Sequence, residues 1–187
     1  MGVMLSAQTQ DSRTHRACVQ LFEKVQTPQD VLQISLEDLT QQIRPVGMYN
    51  TKARNLKKMA QQLVDRHGGQ VPETREELQA LAGVGRKSTD IMMRFVYDQP
   101  AIAVDTHVHR LCNRLGVVST KTYDKTAEYL EAHTPDAHRW RAHEWLISHG
   151  KLVCKSRKPQ CGNCMLTDLC DYYQSLNQVS DPVESDY

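Results

Sequence analysis

Residues 81–89 read "LAGVGRKST", and the reading of this stretch decides the fold. Gly83 and Gly85 flank a single valine, Val84, with helix-forming sequence before and after. Glycine adopts positive φ without penalty and lets another backbone come close. The stretch therefore predicts two helices joined by a tight hairpin. The amides of Gly83, Val84 and Gly85, with the N-terminus of the helix that begins near Arg86, can form an anion nest that suits a nucleic-acid phosphate. Taken alone, Gly-x-Gly between helices is often only a turn. Lys87 falls in the first turn of the second helix, where the helix dipole disfavours positive charge. A neutral amine is the form that attacks an electrophilic carbon; the alternative is a phosphate-binding lysine that keeps its proton.

Working outward from the hairpin, most segments read as short helices separated by capping signals. "VMLSAQTQD" (3–11) is an apolar helix end running into a polar turn. Asp11 and Ser12 can cap a helix carrying Ala17, Cys18, Leu21, Phe22 and Val25. Thr27-Pro28 is an N-cap followed by proline at the first helical position. Ser35 precedes an acidic first turn, Glu37 and Asp38, suited to the helix dipole. Leu56, Met59, Ala60, Leu63 and Val64 line one helix face, and Gly68-Gly69 ends that helix. Thr74 and Glu77 form a capping box. Further helices are expected over 86–97, 107–115 and 140–153. No stretch alternates as a strand does, and 101–104 is too short to build a sheet. The expected class is all-α.

Of the 187 residues 40% are hydrophobic, with only two Phe and two Trp, so the core must be mainly aliphatic. The net charge of +1 hides an asymmetry. Residues 171–187 hold Asp171, Asp181, Glu184 and Asp186 with no Lys or Arg, leaving 23 basic against 18 acidic side chains in residues 1–170. Residues 40–60 contain Arg44, Lys52, Arg54, Lys57 and Lys58 and no acid. Such a patch suits a phosphate backbone or is a solvated helix face. No run is long enough to span a bilayer. No charged n-region followed by an apolar stretch marks a signal peptide, and "MGVMLS" is better read as helix than as a lipidation signal. Six cysteines without a secretion signal argue against a disulfide framework.

Four of those cysteines, Cys154, Cys161, Cys164 and Cys170, fall as C-x6-C-x2-C-x5-C, close enough to converge on one metal centre. Structural zinc often uses two C-x2-C hooks, and only one is present. The spacing also differs from the bacterial ferredoxin run. Loops of six and five residues leave room for a bulky four-iron cubane. Between the first two ligands, "KSRKPQ" (155–160) places Lys155, Arg157 and Lys158 on a loop pinned by the metal. That loop is either a basic prong aimed at a phosphate or charge compensation for the thiolates. Cys18 and Cys112 each stand alone in a helix and read as core. Asp105, in "AIAVDTHVHR" (101–110), precedes a helix, where the default role of an Asp-Thr pair is N-cap. Paired with a lysine, a carboxylate there accepts a proton or stabilises a cation developing on a sugar, a combination suited to breaking a glycosidic bond and forming a Schiff base.

The segments "LSAQTQD", "VGMYNTKA", "LAGVGRKS" and "IAVDTHVHR", with the full cysteine run to Cys170, resemble the endonuclease III family of DNA glycosylases in the helix-hairpin-helix superfamily. The resemblance spans nearly the whole chain. It implies two helical lobes: a six-helix barrel-type lobe with the hairpin, over 1–99 here, and an iron–sulfur lobe over 100–173. An acidic flexible tail follows over 174–187. A cleft between the lobes binds double-stranded DNA carrying a damaged base or an abasic site, and the base is flipped into a pocket. By this resemblance Lys87 is the catalytic lysine that attacks C1′ and Asp105 the essential aspartate. Gln8 and Met48 enter the gap that the base leaves. Gly83, Val84, Gly85, Arg86, His107, Lys155, Arg157 and Lys158 contact DNA, and the four cysteines hold a [4Fe-4S] cluster.

The implied enzyme is a base-excision-repair glycosylase with AP lyase activity that releases oxidised pyrimidines and cuts 3′ to the abasic site by β-elimination. It is expected to be monomeric, cytoplasmic and associated with the nucleoid, with no membrane partner. Leucine often stands where Met48 does, and proline where Ala82 does. Family members usually carry a few dozen residues before "LSAQ" that complete the barrel lobe and lend a helix to the cluster lobe. The sequence is then a fragment, one with a misassigned start, or a minimal form. Alternative readings are an adenine or thymine mismatch glycosylase of the same superfamily, whose adenine branch usually has serine in place of Lys87, and a non-catalytic cluster-bearing DNA-binding fragment.

Overall fold

The structure, a computed structural model, describes residues 1–178. Among them there is no strand, and every regular element is a helix. No described helix is long and apolar enough to cross a membrane. The chain divides into two compact units, Met1–Gln99 and Pro100–Tyr187.

The first unit contains α1 (Gly2–Ser6), α2 (Asp11–Phe22), α3 (Pro28–Gln33), α4 (Leu36–Gln42), α5 (Tyr49–His67), α6 (Arg75–Ala80) and α7 (Arg86–Phe95). The long α5 is its axis, packed by α3 and α4. Leu56, Met59, Ala60 and Leu63 form its buried face, with Leu5, Leu21, Val31, Leu39, Ile43 and Leu78 closing the core around it. The caps fix where the short helices begin. Thr27 accepts from the Asp30 amide while the Asp30 carboxylate takes the amides of Gln26 and Thr27, a reciprocal capping box. Ser35 and Thr74 cap α4 and α6 by accepting from the amides of Asp38 and Glu77, whose carboxylates accept from the two hydroxyls rather than from the N-cap amides, so the expected Thr74–Glu77 capping box is only half formed. Helix α2 departs from expectation: it begins at Asp11 with Gln10 as N-cap and no side-chain cap. Asp11 is therefore a first-turn acid favoured by the dipole rather than a cap.

The second unit contains α8 (Thr106–Leu115), α9 (Tyr123–His133), α10 (Asp136–Leu152) and α11 (Asp171–Gln178), with one-turn 3-10 helices at Cys161–Asn163 and Thr167–Leu169. Its core joins Ile102, Val104, Val108, Cys112, Val118, Ala127, Leu130 and Ala142. Helix α8 crosses α10 closely: a Cβ on Gly150 would lie 2.9 Å from the His107 carbonyl oxygen, so that position excludes every larger residue. Helix α10 starts four residues before the expected 140, and α9 was not foreseen. Residues 174–178, expected in a flexible tail, belong to α11; the rest of that expected tail, 179–187, lies outside the described residues.

Candidate active site and cluster site

The hairpin between α6 and α7 is closed by the Val84 amide, which donates to the Leu81 carbonyl at 3.1 Å. Gly83 has φ +78°, and a Cβ there would stand 2.7 Å from Met4 Sδ and 3.0 Å from Asn55 Cβ. Both backbone and packing therefore demand glycine. Gly85 differs. Nothing lies within 4 Å of where its Cβ would be, and it N-caps α7 without any side-chain cap. With the Val84 amide spent on the turn, the anion slot consists of Gly85 and the first-turn amides of α7, aimed into open space.

Lys87, second residue of α7, is half-buried beside that slot. The same helix buries Ser88, Thr89 and Asp90. Asp90, with no exposed side-chain surface, accepts from Arg75 of α6 and faces Arg86 Nε at 3.9 Å. This carboxylate ties the two hairpin helices together, and the Arg86 side chain beside it stays partly exposed.

Two loops of the first unit also meet. Gln8, between α1 and α2, has φ +53°; Met48, the residue before α5, has φ +56°. Left-handed backbone is uncommon for residues with a side chain. Gln8 is exposed, and Met48 is 59% exposed, a large apolar side chain left facing solvent. A Cβ on Gly47 would lie 2.7 Å from the Gln8 carbonyl oxygen, so the two loop backbones touch. Lys52 of α5 is buried at 6% exposure, with Nζ donating to Leu5 O (2.8 Å), Ala7 O (2.6 Å) and Thr9 Oγ1 (2.9 Å). Burial lowers its pKa. Lys57 likewise donates to the carbonyls of Leu32 and Ile34. The expected basic patch over 40–60 is thus smaller than its sequence: Arg44, Arg54 and Lys58 are exposed, while Lys52 and Lys57 hold internal carbonyls. Sequence spacing carried no sign of this, because Lys52's acceptors lie more than 40 positions away.

In the second unit Asp105 is the N-cap of α8. Its Oδ1 accepts from the amides of His107 (2.8 Å) and Val108 (2.9 Å), which fixes the carboxyl group on the helix end. His107, expected to touch DNA, has its amide on Asp105 and its ring Nδ1 3.2 Å from Arg110 Nη2. Further along α8, Arg110 donates to the carbonyls of Gly150 (2.7 Å) and Cys154 (3.0 Å), and Arg114 donates to those of Lys155 (2.8 Å) and Ser156 (3.2 Å). The 154–161 loop is therefore fastened to α8 by two guanidinium groups. Its cations Lys155, Arg157 and Lys158 are exposed, and Lys158 has φ +51°.

Cys154, Cys161, Cys164 and Cys170 line one pocket together with His149, Val153, Pro159, Tyr172 and Tyr173. Arg114 Nη1 lies 3.5 Å from Cys154 Sγ, and Cys170 Sγ donates to the Arg114 carbonyl at 3.4 Å. Burial, then the three neighbouring thiols, push the Cys161 thiol up, with Arg114 opposing them. Among the described residues no three His, Cys, Asp or Glu side chains converge tightly enough to hold a single metal ion. Four thiol donors that share one pocket without converging on a single point, with a guanidinium beside one sulfur to offset thiolate charge, fit a [4Fe-4S] cluster better than one zinc ion. When bound, such a cluster neutralises the mutual repulsion of the thiolates and fixes the loop between them.

A hairpin with an open anion slot and a cysteine-lined cluster cavity define a class of DNA repair protein. Residues 1–136 match the family model of the HhH-GPD superfamily of base excision DNA repair proteins, and residues 154–170 match the iron–sulfur binding domain of endonuclease III. Endonuclease III of Haemophilus influenzae is 41% identical over 94% of this chain and 83% of its own length; that of Escherichia coli K12 is 38% identical over 95% and 84%. Among solved structures, a trapped covalent intermediate of endonuclease III with DNA, its estranged-adenine complex, superposes with a TM-score of 0.89 at 38% identity, covering 94% of this chain and 83% of that one. The chain belongs to the endonuclease III family: it is a base-excision-repair DNA glycosylase with AP lyase activity that acts on double-stranded DNA and holds a [4Fe-4S] cluster.

Proposed function

We propose that Lys87 is the nucleophile of this chain and Asp105 its charge-stabilising partner, acting on oxidised pyrimidines in duplex DNA. The observation that carries the reading is the setting of Lys87, two residues beyond the uncapped, open Gly85. A backbone phosphate bound by the Gly85 slot would bring the adjoining sugar to the amine. The Lys87 amine attacks C1′, the bond from C1′ to the base breaks, and the base departs with the electron pair and takes up a proton. The Asp105 carboxylate stabilises the positive charge that develops on the sugar. The product is an aminal at C1′; its C1′–O4′ bond then breaks, O4′ taking up a proton, and the ring-opened sugar is left as an iminium between Lys87 and C1′. Loss of a C2′ proton then expels the 3′ phosphate in a β-elimination, cutting the strand, and water releases the enzyme.

Gln8 and Met48 are read as the pair that fills the gap left by the flipped base, as apolar and polar wedges do in other duplex-distorting proteins. Lys155, Arg157 and Lys158 are read as phosphate contacts. Arg86 and His107 are read as further DNA contacts, the first steadied by Asp90 and the second by its amide on Asp105. The protein would work as a monomer on chromosomal DNA in the cytoplasm, at the nucleoid. The test is borohydride trapping on a duplex containing thymine glycol. The native chain is expected to give a covalent adduct and Lys87→Ala none; an adduct from Lys87→Ala at native yield overturns the assignment.

A further inference from the structure

The loop tips at Gln8 and Met48 are strained, and strain of this kind persists only where the surroundings over-determine it. What over-determines it is a small set of groups centred on Lys52. The ammonium has three donors, and each has an acceptor: Leu5 O, at the C-terminal end of α1, then Ala7 O and Thr9 Oγ1. Ala7 and Thr9 are the immediate neighbours of Gln8, so its backbone is fixed from both sides. The same residue holds the other tip through its main chain, since the Lys52 amide donates to the Met48 carbonyl at 3.0 Å.

Thr9 Oγ1 is the shared node. It accepts from Lys52 Nζ and from the Gly47 amide at 3.1 Å, one residue before Met48, and it donates to the Ala7 carbonyl at 3.3 Å. The Gly47–Gln8 backbone contact then sets the separation of the two tips.

No hydrocarbon or planar side chain satisfies three acceptors converging from an irregular loop, whereas an ammonium at the end of a flexible stem does. The choice has an electrostatic logic as well, because the last carbonyls of α1 carry the negative end of its dipole. Taking the charge out of water is unfavourable, as the lowered pKa of Lys52 records. A lysine serving only to fill the core would not be recruited at that disadvantage. Its bonds run to the two loops that carry Gln8 and Met48.

We propose that Lys52, acting through Thr9, is a positioning residue for base extrusion: it locks the Gln8 and Met48 loops into one preformed wedge before DNA arrives. The proposal rests on reading Gln8 and Met48 as the residues that enter the gap. Preorganisation of this kind acts on the step that opens the duplex rather than on sugar chemistry, so its loss should be felt only where a base pair must be broken.

The experiment compares single-turnover base release from two duplexes, one with thymine glycol fully paired and one with thymine glycol inside a three-nucleotide bubble, where little stacking or pairing has to be undone. Lys52→Met and Thr9→Val should each slow release from the paired duplex by about tenfold to a hundredfold, the usual penalty for misplacing a working group by an ångström. Release from the bubble should stay within about threefold of native, and Thr9→Ser, which restores the hydroxyl, should recover the paired rate. The double variant Gln8→Ala with Met48→Ala tests the underlying reading. If it slows both duplexes alike, or neither, the wedge assignment fails. If it is selective for the paired duplex while Thr9→Val slows both equally or neither, the wedge stands and the Lys52 lock is overturned. Thr9→Val decides the matter even if Lys52→Met does not fold.

Discussion

Asp105 carries two tasks that substitution can separate. Its Oδ1 caps α8 by accepting from two amides, and its negative charge is proposed to stabilise the sugar cation. Asparagine keeps the acceptor and removes the charge; alanine removes both. Loss of such a cap costs about 1 kcal/mol, within a range of about 0.5–2, or about 2–4 °C in Tm per kcal/mol for a chain of this size. Asp105→Ala should melt lower by that amount, and Asp105→Asn within about 1 °C of native, since asparagine caps about as well as aspartate. The charge is worth more. At about 4 Å and an effective dielectric constant of about 20, a carboxylate stabilises a full positive charge by about 4 kcal/mol. That corresponds to about a thousandfold in rate, or about thirtyfold for a half-developed charge. Both variants should therefore lose base release by about thirtyfold to a thousandfold, and only alanine should lose stability. The assays are thermal melting by circular dichroism and single-turnover release of thymine glycol. Native-rate release by Asp105→Asn would refute the charge argument, and equal melting of the two variants would refute the cap.

The two hairpin glycines should part company. Gly83→Ala should cost about 1–2 kcal/mol for the left-handed backbone alone, with its clash against Met4 and Asn55 in addition. Gly85→Ala should leave melting nearly unchanged, the gain of about 0.4–1 kcal/mol from a stiffer unfolded chain being offset by the poorer N-cap, while weakening duplex binding in a fluorescence titration; a fully stable Gly83→Ala protein or a normally binding Gly85→Ala protein contradicts this. Burial raises the Cys112 thiol from 9.0 to about 11. The unfolded chain gives up this proton above 9.0 and the native chain keeps it. Stability from this group is therefore full below pH 9.0 and falls as pH rises towards about 11, by at most about 1.4 kcal/mol per pH unit. Urea unfolding between these limits should show a steeper loss for the native chain than for Cys112→Ala, and parallel curves would exclude the effect.

Local chemistry was legible in the sequence wherever a side chain acts on its own neighbourhood. Thr27, Ser35 and Thr74 cap the helices their positions suggest, the GVG stretch forms the hairpin, and the four cysteines share one cavity. Helix α9 escaped notice because its buried face is Thr126, Ala127 and Leu130, a stripe too small and too polar to stand out. The early start of α10 was hidden for a related reason: its buried residues are Ala142, His143 and Gly150, chosen for close crossing with α8 and not for apolar bulk. Lys52 and Lys57 read in the sequence as part of a surface patch because their acceptors depend on chain folding. The ammonium of Lys52 ends among Leu5 O, Ala7 O and Thr9 Oγ1, and that of Lys57 on the carbonyls of Leu32 and Ile34. Asp105 was legible as a cap, but that one oxygen takes both amides is a fact of geometry.

The inward turn of Lys52 and Lys57 has a thermodynamic consequence for how the chain holds intact duplex. Each phosphate neutralised by a surface cation releases condensed counterions, steepening the fall of log K with log salt by about 0.9. If each met a phosphate, five cations between residues 40 and 60 would contribute a slope of about −4.5, whereas the three exposed ones, Arg44, Arg54 and Lys58, would contribute at most about −2.7. At constant contact number elsewhere, that difference means a looser and less salt-sensitive grip on undamaged sequence. A scanning enzyme gains from this, since every undamaged site it visits must be released.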